Sequence, residues 1–153
     1  MIWKTILVPH DFSSPANHAL AIARDEAKAH GAKLLLLHVI DLPFSLKPET
    51  VIVPDATGAP INVRDYAVRL AEEHLADLSA RVGKDGVTPK TFIRLGKPED
   101  EIVKFANENH VDLIAMGTHG RSGLRELFLG SVAKHVVQKA PCPVLTVRRR
   151  EKH

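Results

Sequence analysis

The chain has 153 residues, 44% of them hydrophobic and 25% charged, with a net charge of +3 and a sequence pI near 9.1. This composition lies in the ordinary globular range and sets aside disorder, collagen and coiled coil, and the length suits one domain that buries about two-thirds of its extended surface. Part of the basic excess sits in the tail "RRREKH" at residues 148–153, and aromatic residues at 5% supply no stacking platform, so no nucleic-acid partner is expected.

The first residues place Lys4 inside a short apolar run without a small-residue cleavage site, unlike a secretory signal. The run "LLLLHVI" is far too short to span a bilayer, so a cytoplasmic protein without a membrane partner is expected. "TILVP" reads as a first strand. Ser14 suits a helix N-cap and Pro15 a first helical residue, and Ala16, Ala19, Leu20, Ala23 and Ala27 recur at helical spacing until Gly31, a left-handed stop. "AKLLLLHVI" gives the second strand.

Residues 41–60 carry Pro43, Pro48, Pro54 and Pro60 without helical or strand period and read as a long loop or short irregular insertion. A helix then follows in which Val63, Tyr66, Ala67, Leu70, Ala71, Leu75, Leu78 and Val82 form one apolar stripe. "TPKTFIRL" is the third strand. "KPEDEIVKFANEN" is a helix with Pro98 and three acids in its first turn, where the helix dipole favours them, and "VDLIAMG" is the fourth strand. Ser131–Lys139 makes a short helix with Val132, Val136 and Val137 on one face, ended by Pro141, before the last strand "PVLTV". The alternation of short apolar runs with amphipathic segments is the pattern of β-α-β units, so residues 1–153 are expected to form a single three-layer α/β domain on a parallel sheet.

The single Cys142, between Pro141 and Pro143, reads as a small buried filler, since it can form neither an internal disulfide nor an all-cysteine metal site. The nine histidines show no H-E-x-x-H spacing, and no metal site is expected from them. No G-x-S-x-G elbow or positioned base marks a nucleophile, so no catalytic residue is assigned.

The fourth strand runs into "GTHGRSGLRELFLGS", residues 117–131, which ends where the next helix starts. In open parallel sheets ligands bind beyond the carboxyl ends of the strands, and the unpartnered amides of a helix start favour an anion. Gly117, Gly120 and Gly130 permit close backbone approach, and Ser131 adds a hydroxyl donor; phosphate is the natural guest. The alternative is a loop whose glycines only satisfy left-handed turns. Neither a P-loop nor the G-x-G-x-x-G turn of dinucleotide folds is present. The arrangement is G-2x-G-9x-G-S, and it resembles the G-2x-G-9x-G-(S/T) motif of the nucleotide-binding branch of the universal stress protein family. "ILVPHDFS", "LLLLHV", "GKPEDEIVKFA" and "CPVLTV" resemble that family's flanking segments, so the likeness covers nearly the whole chain.

The resemblance implies a five-stranded parallel sheet in the order 3-2-1-4-5, a homodimer joined through the last strand (Val144–Val147), and ATP as ligand, with magnesium or manganese where the nucleotide brings it. It implies that Asp11 contacts the nucleoside with Pro9 and His10 nearby, and that Val39 meets adenine through backbone and apolar contact. Met116 and Gly117 would line the ribose and phosphate side, and Gly120, Gly130, Ser131 and Val132 would hold the phosphates. Arg121, with His119 and Arg125, would complement phosphate charge, although all three also read as solvated loop residues. Asp11 equally reads as a helix-start residue for Ser14. Phe12 departs from the family pattern, since many relatives carry glycine there. The function implied is a stress-response regulator or nucleotide sensor; the alternatives are a slow ATPase or autophosphorylating enzyme using the same pocket, and a member that folds and dimerises without nucleotide.

Overall fold

In the computed structural model, which describes residues 1–54, 58–119 and 129–148, the strands are β1 (Thr5–Pro9), β2 (Lys33–Ile40), β3 (Val51–Ile52), β4 (Ile61–Asn62), β5 (Lys90–Leu95), β6 (Leu113–Gly117) and β7 (Val144–Val147). Ile6, Leu7 and Val8 of β1 have no exposed surface, because this strand is central and covered on both faces, which is why it reads as a continuous apolar run. Five strands form one parallel sheet in the order β5-β2-β1-β6-β7, which is 3-2-1-4-5 when the two short strands are left out of the count.

Among the described residues, four helices connect the strands: α1 (Ser14–His30), α2 (Val63–Gly83), α3 (Pro98–Glu108) and α4 (Ser131–Lys139). Successive side chains of a strand point to opposite faces, and the buried residues divide accordingly. Ile6, Val8, Leu34 and Leu36 pack with Leu20 of α1 and Leu75 of α2, whereas Leu7, Leu35, Leu37 and Ile114 pack with Phe105 of α3 and Val136 of α4. Each fully buried Leu, Ile or Phe contributes roughly 1.5–3 kcal/mol of transfer free energy. The connections leaving β1 and β6 therefore run over opposite faces, and their strand ends open a crevice between them.

Several local expectations need revising. The N-cap of α1 is Ser13, whose hydroxyl accepts the Ala16 N–H, and Ser14 is already helical. Gly31 does stop this helix at φ 66. On α2, Leu70 is exposed instead of joining the buried stripe of Ala71, Leu75 and Leu78. Val137 of α4 is likewise exposed, and the buried face is Ala133 with Val136. The insertion after β2 contains the antiparallel pair β3 and β4, and its backbone ends on α2 through Val63 N–H to Thr50 C=O and Arg64 N–H to Pro48 C=O. Cys142 is half-buried against the α3–α4 side, and burial pushes its thiol pKa up. Among the described residues, no helix is long and apolar enough to cross a membrane.

Candidate functional site

A cavity of about 290 Å³ occupies the crevice at the carboxyl ends of β1 and β6, near the small end of the ~300–1,000 Å³ found for ligand pockets. Pro9, His10 and Asp11 reach it from the end of β1, and Val39 from the end of β2. Met116 and Gly117 close it from β6, and Gly130, Ser131 and Val132 from the start of α4. The fold thus brings nine of the eleven residues expected from the sequence to one cavity; Gly120 and Arg121, like Arg125, lie outside the described residues.

The start of α4 supplies donors. Its first intrahelical bond is Lys134 N–H to Gly130 C=O, so the amides of Ser131, Val132 and Ala133 have no acceptor within the helix, and no side chain caps them. The helix dipole adds to their preference for an anion. Gly130 holds this helix start against β6: its N–H donates to Thr118 C=O at 2.7 Å. A Cβ on Gly130 would stand 3.2 Å from that same oxygen and 3.6 Å from His119 Cα.

The opposite wall offers backbone groups at the end of β2. Hydrogen bonds from β2 alternate between its two neighbours, with Leu37 C=O accepting the His10 N–H on the β1 side and Ile40 C=O accepting the Gly96 N–H on the β5 side. Val39 belongs with Leu37, so its N–H and C=O face the side on which β1 has already ended. Leu37, Ile102 and Met116 make the apolar surround.

His10 is 3% exposed, and burial pushes its pKa down to about 4, against opposing effects from its bond to Asn17 and the charge of Asp11. The Phe12 N–H donates to Nδ1 at 2.9 Å, so Nε2 carries the proton and donates to Asn17 Oδ1 at 2.9 Å. Both ring nitrogens are committed to shaping the β1–α1 turn. Asp11 does serve as a helix-start residue, since Oδ1 accepts the Ser13 N–H at 3.0 Å. It also lines the cavity.

Thr118, Pro98 and Ile102 also line the cavity, though they were not expected there from the sequence. Thr118 lies one residue beyond the strand end at Gly117, a position that could have marked it; Pro98 and Ile102 arrive from α3 and carry no local signal. His119 is 7% exposed in the same wall. Its Nδ1 lies 2.9 Å from Thr118 Oγ1, while Nε2 is buried without a hydrogen-bond partner among the described residues.

Fold and crevice together define a doubly wound α/β domain with its cavity at the topological switch point. Residues 3–148 match the model of the universal stress protein family, and the chain belongs to that family. It is 38% identical over 151 residues to a universal stress protein of Thermus aquaticus, covering 96% of this chain and 100% of that one. It is 32% identical to universal stress protein MJ0577 of Methanocaldococcus jannaschii, covering 98% of each. The solved structure of MJ0577 superposes with a TM-score of 0.79 over 99% of this chain and 100% of that one. A universal stress protein from Archaeoglobus fulgidus, solved in complex with dAMP, superposes with a TM-score of 0.65 at 26% identity, covering 96% of this chain and 99% of that one.

Proposed function

We propose that this chain is an adenine-nucleotide-binding universal stress protein that takes ATP in the β1–β6 cavity and acts as a homodimeric regulator or sensor. The observation that carries the reading is the convergence on one cavity of α4 amides without an acceptor in their helix and the outward-facing Val39 peptide groups, complementary to a phosphate and an adenine edge. The bare Cα of Gly130 and the His119 Nε2, which has no partner among the described residues, fit a site made for a polar guest. The dAMP complex of the Archaeoglobus fulgidus relative adds support.

In this reading the amides of Ser131, Val132 and Ala133 donate to phosphate oxygens, Asp11 accepts from the ribose hydroxyls, and Leu37, Ile102 and Met116 exclude water from the base. A divalent ion arriving with ATP is held by phosphate oxygens and water; the described residues contain no cluster of three metal-ligating side chains. A second copy pairs along β7, the sheet edge whose Leu145 is 37% exposed. Freshly purified protein, denatured and analysed for released small molecules, is expected to yield an adenine nucleotide in stoichiometric amount. A release confined to other compounds would count against the reading.

A further inference from the structure

The turn after β1 is held by a device that lies on the far face of the sheet from the cavity. Phe12 adopts φ 65, a left-handed conformation costly for a bulky residue. Its ring packs on the α1–α2 side of the core, stacks on the His38 imidazole with centroids 4.3 Å apart and planes 28° apart, and meets the His74 ring edge-on at 4.7 Å. His38 also donates its Nδ1–H to the His10 carbonyl at 2.7 Å, because a carbonyl can only accept. The His10 N–H is meanwhile tied to Leu37 C=O at 2.8 Å. Two successive β2 residues thus grip both backbone groups of His10.

We propose that His38 is a positioning residue for the nucleotide cavity, fixing the His10–Asp11 peptide and the Phe12 turn so that Asp11 is presented to the ligand; this rests on the nucleotide reading above. The geometry follows from peptide planarity. With the His10 carbonyl drawn toward His38 on the α2 side, the trans peptide sends the Asp11 N–H to the other side, where the cavity lies. The strained φ at Phe12 persists because the surroundings determine it: the ring is held by His38 and His74, and the Phe12 N–H is held by His10 Nδ1. A glycine at this position would adopt the same turn without strain but also without an anchor. The histidine inside the apolar run of β2, Leu34 to Ile40, is the counterpart of the phenylalanine in the turn.

The test separates the hydrogen bond from packing. Calorimetric titration with dAMP and with ATP is run on the wild type, on His38→Phe, which keeps a ring but no donor, and on His38→Asn, which returns a donor near the Nδ1 position. Expected is at least about a tenfold weakening in His38→Phe, equivalent to ~1.4 kcal/mol, with most of it recovered in His38→Asn. Urea unfolding of each variant reports whether stability follows a different order. Binding of His38→Phe within about twofold of the wild type, or no recovery by Asn, overturns the proposal while the nucleotide reading stands. A wild type that binds neither nucleotide overturns both. Independently of any variant, 15N spectra of the wild-type histidine rings are expected to show His38 in the Nδ1–H form; the Nε2–H tautomer would overturn the proposal even if the variants failed to fold.

Discussion

A Cβ placed on Gly117 would lie 2.7 Å from the Cβ of Pro15, and 3.2 Å and 3.3 Å from the backbone of Pro15 and Ala16. The glycine at the end of β6 therefore lets the first turn of α1 rest directly on the strand. Its bareness answers to packing as well as to any ligand, since the Pro15 ring cannot swing aside.

Gly117→Ala is accordingly expected to destabilise the fold by about 1–3 kcal/mol through overpacking. Urea unfolding checks this. Unchanged stability would show that α1 can move away from β6 at little cost.

Gly130 makes the opposite case. The added Cβ contact to Thr118 C=O is tight but not prohibitive, and the residue stands outside the helix at φ −59 and ψ 159, where any L residue fits. Gly130→Val is expected to stay folded, at a cost of roughly 1 kcal/mol, because α4 must draw back from Thr118 by a few tenths of an ångström. The same shift separates the α4 amides from the rest of the cavity, and nucleotide affinity is expected to fall by at least about tenfold. A folded variant with wild-type affinity would relocate the phosphate site.

His10 links the site to acid stability. Its pKa is about 4 in the folded protein against an ordinary 6.5. Between those two pH values the unfolded chain binds a proton that the folded chain does not, so stability falls on acidification through this window and the contribution levels off on either side. The full effect is on the order of 3 kcal/mol. His10→Gln is expected to be less stable at neutral pH and to lose this part of the slope. Urea titrations of both proteins from neutral pH to pH 4 would show it; equal slopes would mean that His10 is protonated without penalty.

The open edge of β7 supplies a test of assembly. Leu145 is exposed on that edge, so Leu145→Lys leaves the core alone. Sedimentation velocity is expected to find a dimer for the wild type and a monomer for the variant. A wild type that sediments as a monomer at high concentration would remove β7 pairing from the proposal.

What the sequence disclosed follows from which forces act locally. The three central strands β1, β2 and β6 were visible because strands buried on both faces must be apolar nearly throughout, and the helices because Gly31 and Pro98 punctuate them. Gly117 and Gly130 pointed to the cavity because the backbone closes tightly at both: a Cβ would stand 2.7 Å from Pro15 at the first and 3.2 Å from the Thr118 carbonyl at the second. The β3–β4 pair was missed since two residues per strand cannot show a period. Ser13 and Ser14 are chemically equal as caps, and the choice between them depends on Asp11 accepting the Ser13 N–H. Leu70 and Val137 sit at the borders of their apolar stripes, where the reach of the neighbouring sheet, not the helical period, decides burial. The bond between His38 and the His10 carbonyl spans 28 positions and leaves no mark in either segment.

The most direct test of nucleotide binding is calorimetric titration of protein stripped of small molecules with ATP, AMP and dAMP. Expected is saturable binding of an adenine nucleotide with one site per chain, abolished or strongly weakened in Gly130→Val. No heat of binding for any of the three at millimolar concentration, from protein shown to be folded, would contradict it.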